Sequence, residues 1–268
     1  MKKIVLLSLS IFLLSGCASL KSWFGGVSNE AYIKIDDVKY RAGNASGALI
    51  GSVGYASGLG LFGGANTFDR KKIPDYGSLK LTYEGVIDQA KIENYAVEAK
   101  AEVEGEIVKK VEANASAEGR VATESEKQVT YHLISITSSD DLIVELNLSK
   151  NSRSFDLMKA GKTSSRIVTK ILVAYGYKLS ETIKASGSAG LSLASASNLA
   201  NLVVGGAASA DTKNKVSLSD GMIVGYSYDI LCWRRNASDK VEILTSVLDQ
   251  YGASQKCPSG SQQAPDKI

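Results

Sequence analysis

The chain has 268 residues, with 31 Lys and Arg against 28 Asp and Glu and a formal net charge of +3. It carries no basic stripe interleaved with aromatic residues, so the footprint of a nucleic-acid binder is missing. One histidine and three cysteines, none in a CxxC or Cys/His arrangement, give no basis for a metal centre, a redox-catalytic pair or a cofactor.

The first residues, MKKIVLLSLSIFLLSGC, place Lys2 and Lys3 before an apolar run from Ile4 to Leu14 and then small residues, the order of a secretory signal. About a dozen apolar residues are too few for a permanent bilayer span. Leu14, Ser15, Gly16 and Cys17 resemble the lipobox of bacterial lipoproteins. That resemblance implies cleavage after residue 16 and a diacylglyceryl thioether plus an amide-linked acyl chain on Cys17. Because Ala18 and not aspartate follows, it also implies transfer to the outer membrane of the cell envelope. Several acyl chains hold stably, since each buried methylene adds roughly 0.8 kcal/mol. Residues 17–31 then form the anchor and spacer. Loss of Lys2 and Lys3 with the leader leaves 29 basic residues against 28 acidic ones, so the mature chain is nearly neutral.

A folded body is expected over residues 32–256. Asp36 and Asp37 read as a turn or strand end. The Gly-rich tract 43–66 has no charged side chain, and Gly43, Gly47 and Gly51 would share one face of a helix. Glycine at that spacing lets another backbone approach closely and resembles the glycine-zipper pattern of envelope and membrane-active proteins. A glycine-rich loop or a small-residue helix packed in a core is the competing reading. Next, ENYAVEAKAEVEGEIVKK carries two periods. Tyr95, Val97, Ala99, Ala101, Val103 and Ile107 alternate with mainly charged residues, whereas Ile92, Ala96, Ala99, Val103 and Ile107 make a helical stripe. The alternation and Gly105 favour an amphipathic strand, although Ala, Glu and Lys favour helix.

His132, in the alternating VTYHLISI, is expected at a sheet surface or rim. Asp140 and Asp141 mark a turn before LIVELNL, and a short helix is expected over Ser154–Ala160 with Ser154 as N-cap. Alternation resumes at Ile171, Val173, Tyr175, Tyr177 and Leu179, and again at Val224, Tyr226, Tyr228, Ile230 and Cys232. Between them lies a small-residue tract, 185–210, long enough for one helical crossing or for most of a two-stranded hairpin. Asn236–Asp239 reads as the turn of a hairpin. Cys232 and Cys257 form an even pair in an oxidising compartment, which predicts a disulfide; two unpaired thiols are the alternative. Residues 257–268 read as a polar, mobile tail.

The stretch TKILVAYGYKLSETIKASGSAGLSL, followed by NKVSLSDGMIVGYSYDILCW, resembles the second membrane-hairpin region of gasdermins. The likeness implies a strand over about Lys170–Lys184, a Gly/Ser-rich connection and a second strand entered through SLSDG. It would place the first hairpin at LKLTYEG and the charged alternation up to Ile136. Gasdermins are generally cytosolic, a departure from the lipobox.

No GxSxG elbow, HExxH helix or phosphate loop is present, and adjacent aspartates on a strand point to opposite faces. The sequence therefore predicts an α+β, mainly antiparallel body with few short helices and no catalytic residues. It would be held at the outer membrane and act non-enzymatically on a membrane, an envelope protein or a second copy. Gasdermin-like permeabilisation is the first alternative, and an envelope hydrolase using His132 the second.

Overall fold

Residues Ile171–Tyr175 and Val224–Cys232, where β-branched and aromatic side chains alternate, lie at the centre of one antiparallel sheet. The computed structural model describes residues 32–42, 45, 50–55, 80–136, 139–148, 152–186, 191–193, 201–204, 216–217, 221–249 and 256–268. In chain order these form β1 (Tyr32–Ile35), β2 (Val38–Arg41), β3 (Val53–Tyr55), β4 (Lys80–Ile87), β5 (Ile92–Glu93), α1 (Val97–Ala117), β6 (Val129–Ile136), α2 (Ser139–Asn147) and α3 (Ser152–Gly161). There follow β7 (Ser165–Gly176), α4 (Tyr177–Ser186), β8 (Leu191–Leu193), β9 (Asn201–Val204), β10 (Val216–Ser217), β11 (Met222–Arg235) and β12 (Val241–Leu248). The class is α+β with an antiparallel β body, as the sequence predicts.

The heart of the sheet is a meander, β4-β6-β7-β11. Beyond β4 the order continues through β8, β9 and β10, so the small-residue tract 185–210 supplies two short paired strands. Beyond β11 lie β2, β1 and β5, and β12 pairs with the rest of the same edge. Helices cover both faces. On one, Val103 and Ile107 of α1 pack on Tyr131, Leu133, Leu172, Ala174 and Val224. On the other, Ile183 of α4 packs among Ile134, Ile171, Val173 and Tyr175. At the far end, Leu142, Leu146 and Met158 from α2 and α3 enclose Trp233 and Ile243.

Several sequence expectations are corrected. Residues 97–117 are helical rather than a strand. Val103, Ile107 and Ala115 are the buried set, which follows the helical stripe, and helix-favouring Ala, Glu and Lys dominate the rest. The helix stops in a Schellman motif: Arg120 N–H donates to the Ala115 carbonyl, Gly119 N–H donates to Ser116, and Gly119 has φ 74°. Asp140 and Asp141 sit in the first turn of α2 instead of a loop, where carboxylates complement the helix dipole. The expected short helix exists but starts at Ser152, so Ser154 is inside it and not its N-cap. The strand expected to run to Leu179 ends at Gly176, and α4 begins at once.

Asn236–Asp239 does form the turn, with Asp239 at φ 59° and the Asn236 side chain accepting from Ser238 and Lys240 N–H groups. The polar tail, expected to be mobile, packs instead: Trp233 and Gln262 exchange two backbone hydrogen bonds, and Ala264 is buried.

Candidate functional site

Two long connections of the meander leave the sheet at the same end. Register fixes this: Ile87 lies opposite Tyr131, Val129 opposite Gly176, and Met222 opposite Ala174. The β4–β6 connection, 88–128, carries α1, and the β7–β11 connection, 177–221, carries α4 and the small-residue tract. A cavity of about 260 Å³ marks the seam between them, lined by Ile107, Val111, Asn114, Gly176 and Leu179 among others. Gly176 permits the close approach there, since a Cβ would stand 2.7 Å from Val111 Cγ2.

In α1 the apolar set that reads as period two is split. Val103 and Ile107 face the core, whereas Val97 is 78% exposed. The helix therefore buries only part of an apolar series that a strand would gather on one face. Its other face is charged, with Lys109 bonded to Glu106 at 2.7 Å and Lys127 to Glu112 at 3.0 Å.

His132 lies under α4, wholly buried, and not at a rim. Its Nε2 is 2.9 Å from Ser180 Oγ and 3.1 Å from Thr130 Oγ1. The Tyr175 and Tyr83 rings stand 5.3 and 5.5 Å away. Nδ1 has no hydrogen-bond partner among the described residues. Burial pushes the imidazole down to about 4, with Lys184 adding to the effect and Glu181 opposing it. Ser180 and His132 thus have the spacing of a nucleophile and base, but both are buried and, among the described residues, no carboxylate holds Nδ1, as a triad requires.

A charged cluster that sequence reading missed sits where β2 hands over to β12 along the edge of β11. Asp249 Oδ2 accepts from Arg166 Nε at 2.8 Å and lies 3.7 Å from Arg41. The Arg41 guanidinium stands 3.8 Å over the Tyr228 ring. Asp229 is buried nearby and accepts from Thr169 and Ser246. Burial pushes its carboxyl up against the pull of those two hydroxyls. Nothing in the spacing of these residues along the chain announces the cluster.

Cys232 and Cys257 stand at disulfide distance, 2.01 Å between sulfurs. Cys17, Gly43 and Gly47 lie outside the described residues. Gly51, the third of the expected glycine face, occupies a turn with φ 80°, its N–H donating to the Val168 carbonyl; glycine is favoured there by backbone conformation. Among the described residues no three His, Cys, Asp or Glu side chains group to hold a metal, and no helix is long and apolar enough to cross a membrane. In comparisons with protein families, curated proteins and solved structures, nothing matches this chain.

Proposed function

We propose that the chain is a lipoprotein of the outer membrane, anchored through Cys17, whose body works non-enzymatically on a membrane, as one copy or an oligomer. The observation that carries the membrane reading is the placement of the two connections. Both emerge from one end of a four-stranded antiparallel meander. Extending each pair of strands into its connection would lengthen the same sheet by two neighbouring hairpins. The β4–β6 connection has the alternation of apolar and charged residues that a membrane-crossing strand needs. The β7–β11 connection is rich in small residues and already contributes β8 and β9. This is the gasdermin-like alternative in geometric form, with α1 and α4 as the docked state of the segments that convert.

Mature protein lacking its acyl groups, added to dye-filled liposomes over a range of lipid compositions and pH, should release the dye. Intact vesicles under all conditions would leave only the interaction with an envelope protein. The anchor is tested separately: Cys17→Ala should lose acylation and leave the membrane fraction, and globomycin should make the precursor accumulate. A Cys17→Ala chain that still fractionates with membranes removes the lipid anchor from the proposal.

A further inference from the structure

Among the described residues of α4, Ser180 and Ile183 are buried, with Leu179 partly buried beside them. Ser180 meets His132 directly, so one of the principal contacts between the β7–β11 connection and the sheet is a hydrogen bond to the single histidine of the chain. Among the described residues, the groups around that imidazole come from four elements. β4 supplies Tyr83 and, in register, Val86; β6 supplies Thr130; β7 supplies Tyr175 and Val173; and α4 supplies Ser180, Glu181 and Lys184. Glu181 is bonded to Lys184 at 2.7 Å, so the acid faces a partner of its own. Tyr83 is neutral at any pH of interest, its hydroxyl raised by burial.

We infer that His132 is a pH-sensitive latch: neutral, it holds α4 on the sheet through Ser180, and protonated, it releases α4 and with it the start of the β7–β11 connection. A neutral imidazole has one donor and one acceptor nitrogen, whereas the charged ring has two donors. Nδ1–H would then point where no described residue accepts it, and the charge would be buried beside Lys184. Undocking restores water to both nitrogens.

The direction of the pH response follows from the lowered proton affinity of the docked ring. Docking is at full strength above about pH 6.5, the ordinary range of imidazole. It weakens about tenfold per pH unit as pH falls toward 4, where the docked ring also takes up a proton. The device goes beyond the membrane reading and rests on it only for its consequence there, namely that acid frees one of the converting segments.

The test is hydrogen exchange on the mature chain in detergent, corrected for the pH dependence of intrinsic exchange, together with an NMR titration of the single imidazole. Protection of the α4 amides should fall roughly 40-fold between pH 6.5 and 4.5, with the imidazole titrating well below 6.5. His132→Gln keeps a hydrogen-bonding amide at Ser180 without a titrating group and should hold α4 protection flat over that range. Ser180→Ala should lower protection already at pH 7. An imidazole titrating near 6.5 in the folded chain, α4 protection that does not change with pH, or a His132→Gln variant that follows the wild-type profile overturns the latch. If His132→Gln does not fold, the wild-type titration still decides. Vesicle leakage separates the two proposals: α4 released by acid without leakage upholds the latch and counts against permeabilisation. Leakage with α4 still protected does the opposite.

Discussion

Asp249 is the residue on which β2, β7, β11 and β12 converge. It follows the end of β12, donates its N–H to the Tyr228 carbonyl, and presents its carboxylate to Arg166 and Arg41. Its side chain is 8% exposed, as is that of Arg41, so solvent does little to screen the charges. Removing one member of a buried ion cluster leaves its partners uncompensated, at about 3–5 kcal/mol. Asp249→Asn is therefore expected to lower the free energy of unfolding, read from urea denaturation, by an amount in that range, whereas Asp239→Asn, at the exposed hairpin turn, should change it little; equal effects would contradict the assignment. The cluster was hidden in the sequence because its members are far apart in the chain, and charged residues near strand ends read as solvated. His132 was misread for a related reason. Alternation places it on a sheet but does not say which face acquires a covering helix.

The helix α1 is the element on which local signals competed. Alternation and Gly105 pointed to a strand, and propensity with the Val103–Ile107 stripe pointed to a helix; in the folded body the helix wins because it can bury that stripe against β6 and β7. A Cβ at position 105 would meet nothing within 4 Å, so Gly105→Ala should stabilise the fold by about 0.5–1 kcal/mol, the helix-interior difference between the two residues. Denaturation followed by circular dichroism would measure it. If α1 must leave the helical state to permeabilise vesicles, the same variant should also slow leakage, while Gly105→Pro should unfold α1 outright. The pairing of Cys232 with Cys257 closes a separation of 25 residues, which in the chain-entropy model contributes roughly 3 kcal/mol. Cys257→Ser should lower the denaturation midpoint accordingly and expose the Gln262–Ile268 segment to proteolysis. A midpoint equal to that of the wild type would show the bond contributes nothing to the fold.

For the whole molecule, the position of the two connections matters more than any one side chain. A strand order of β4-β6-β7-β11 with antiparallel neighbours forces the first and third links to the same end. The α2–α3 link goes to the other end, where the disulfide-bound tail also packs. If Cys17 carries the proposed acyl groups, a Cys17→Ala protein is expected to unfold at the same temperature as the acylated chain while losing the proposed membrane location, because Cys17 precedes the sheet in the chain. The β-rich class, the Asn236–Asp239 hairpin and the pairing of the two cysteines were legible in the sequence, since each depends on periodicity, turn chemistry or parity within a short span. Only the tertiary structure decided that α1 is a helix, that α4 ends β7 at Gly176 and buries His132, and that the tail packs on Trp233. Those outcomes depend on which apolar surface meets which across the sheet, a long-range competition that the local pattern of residues leaves undetermined.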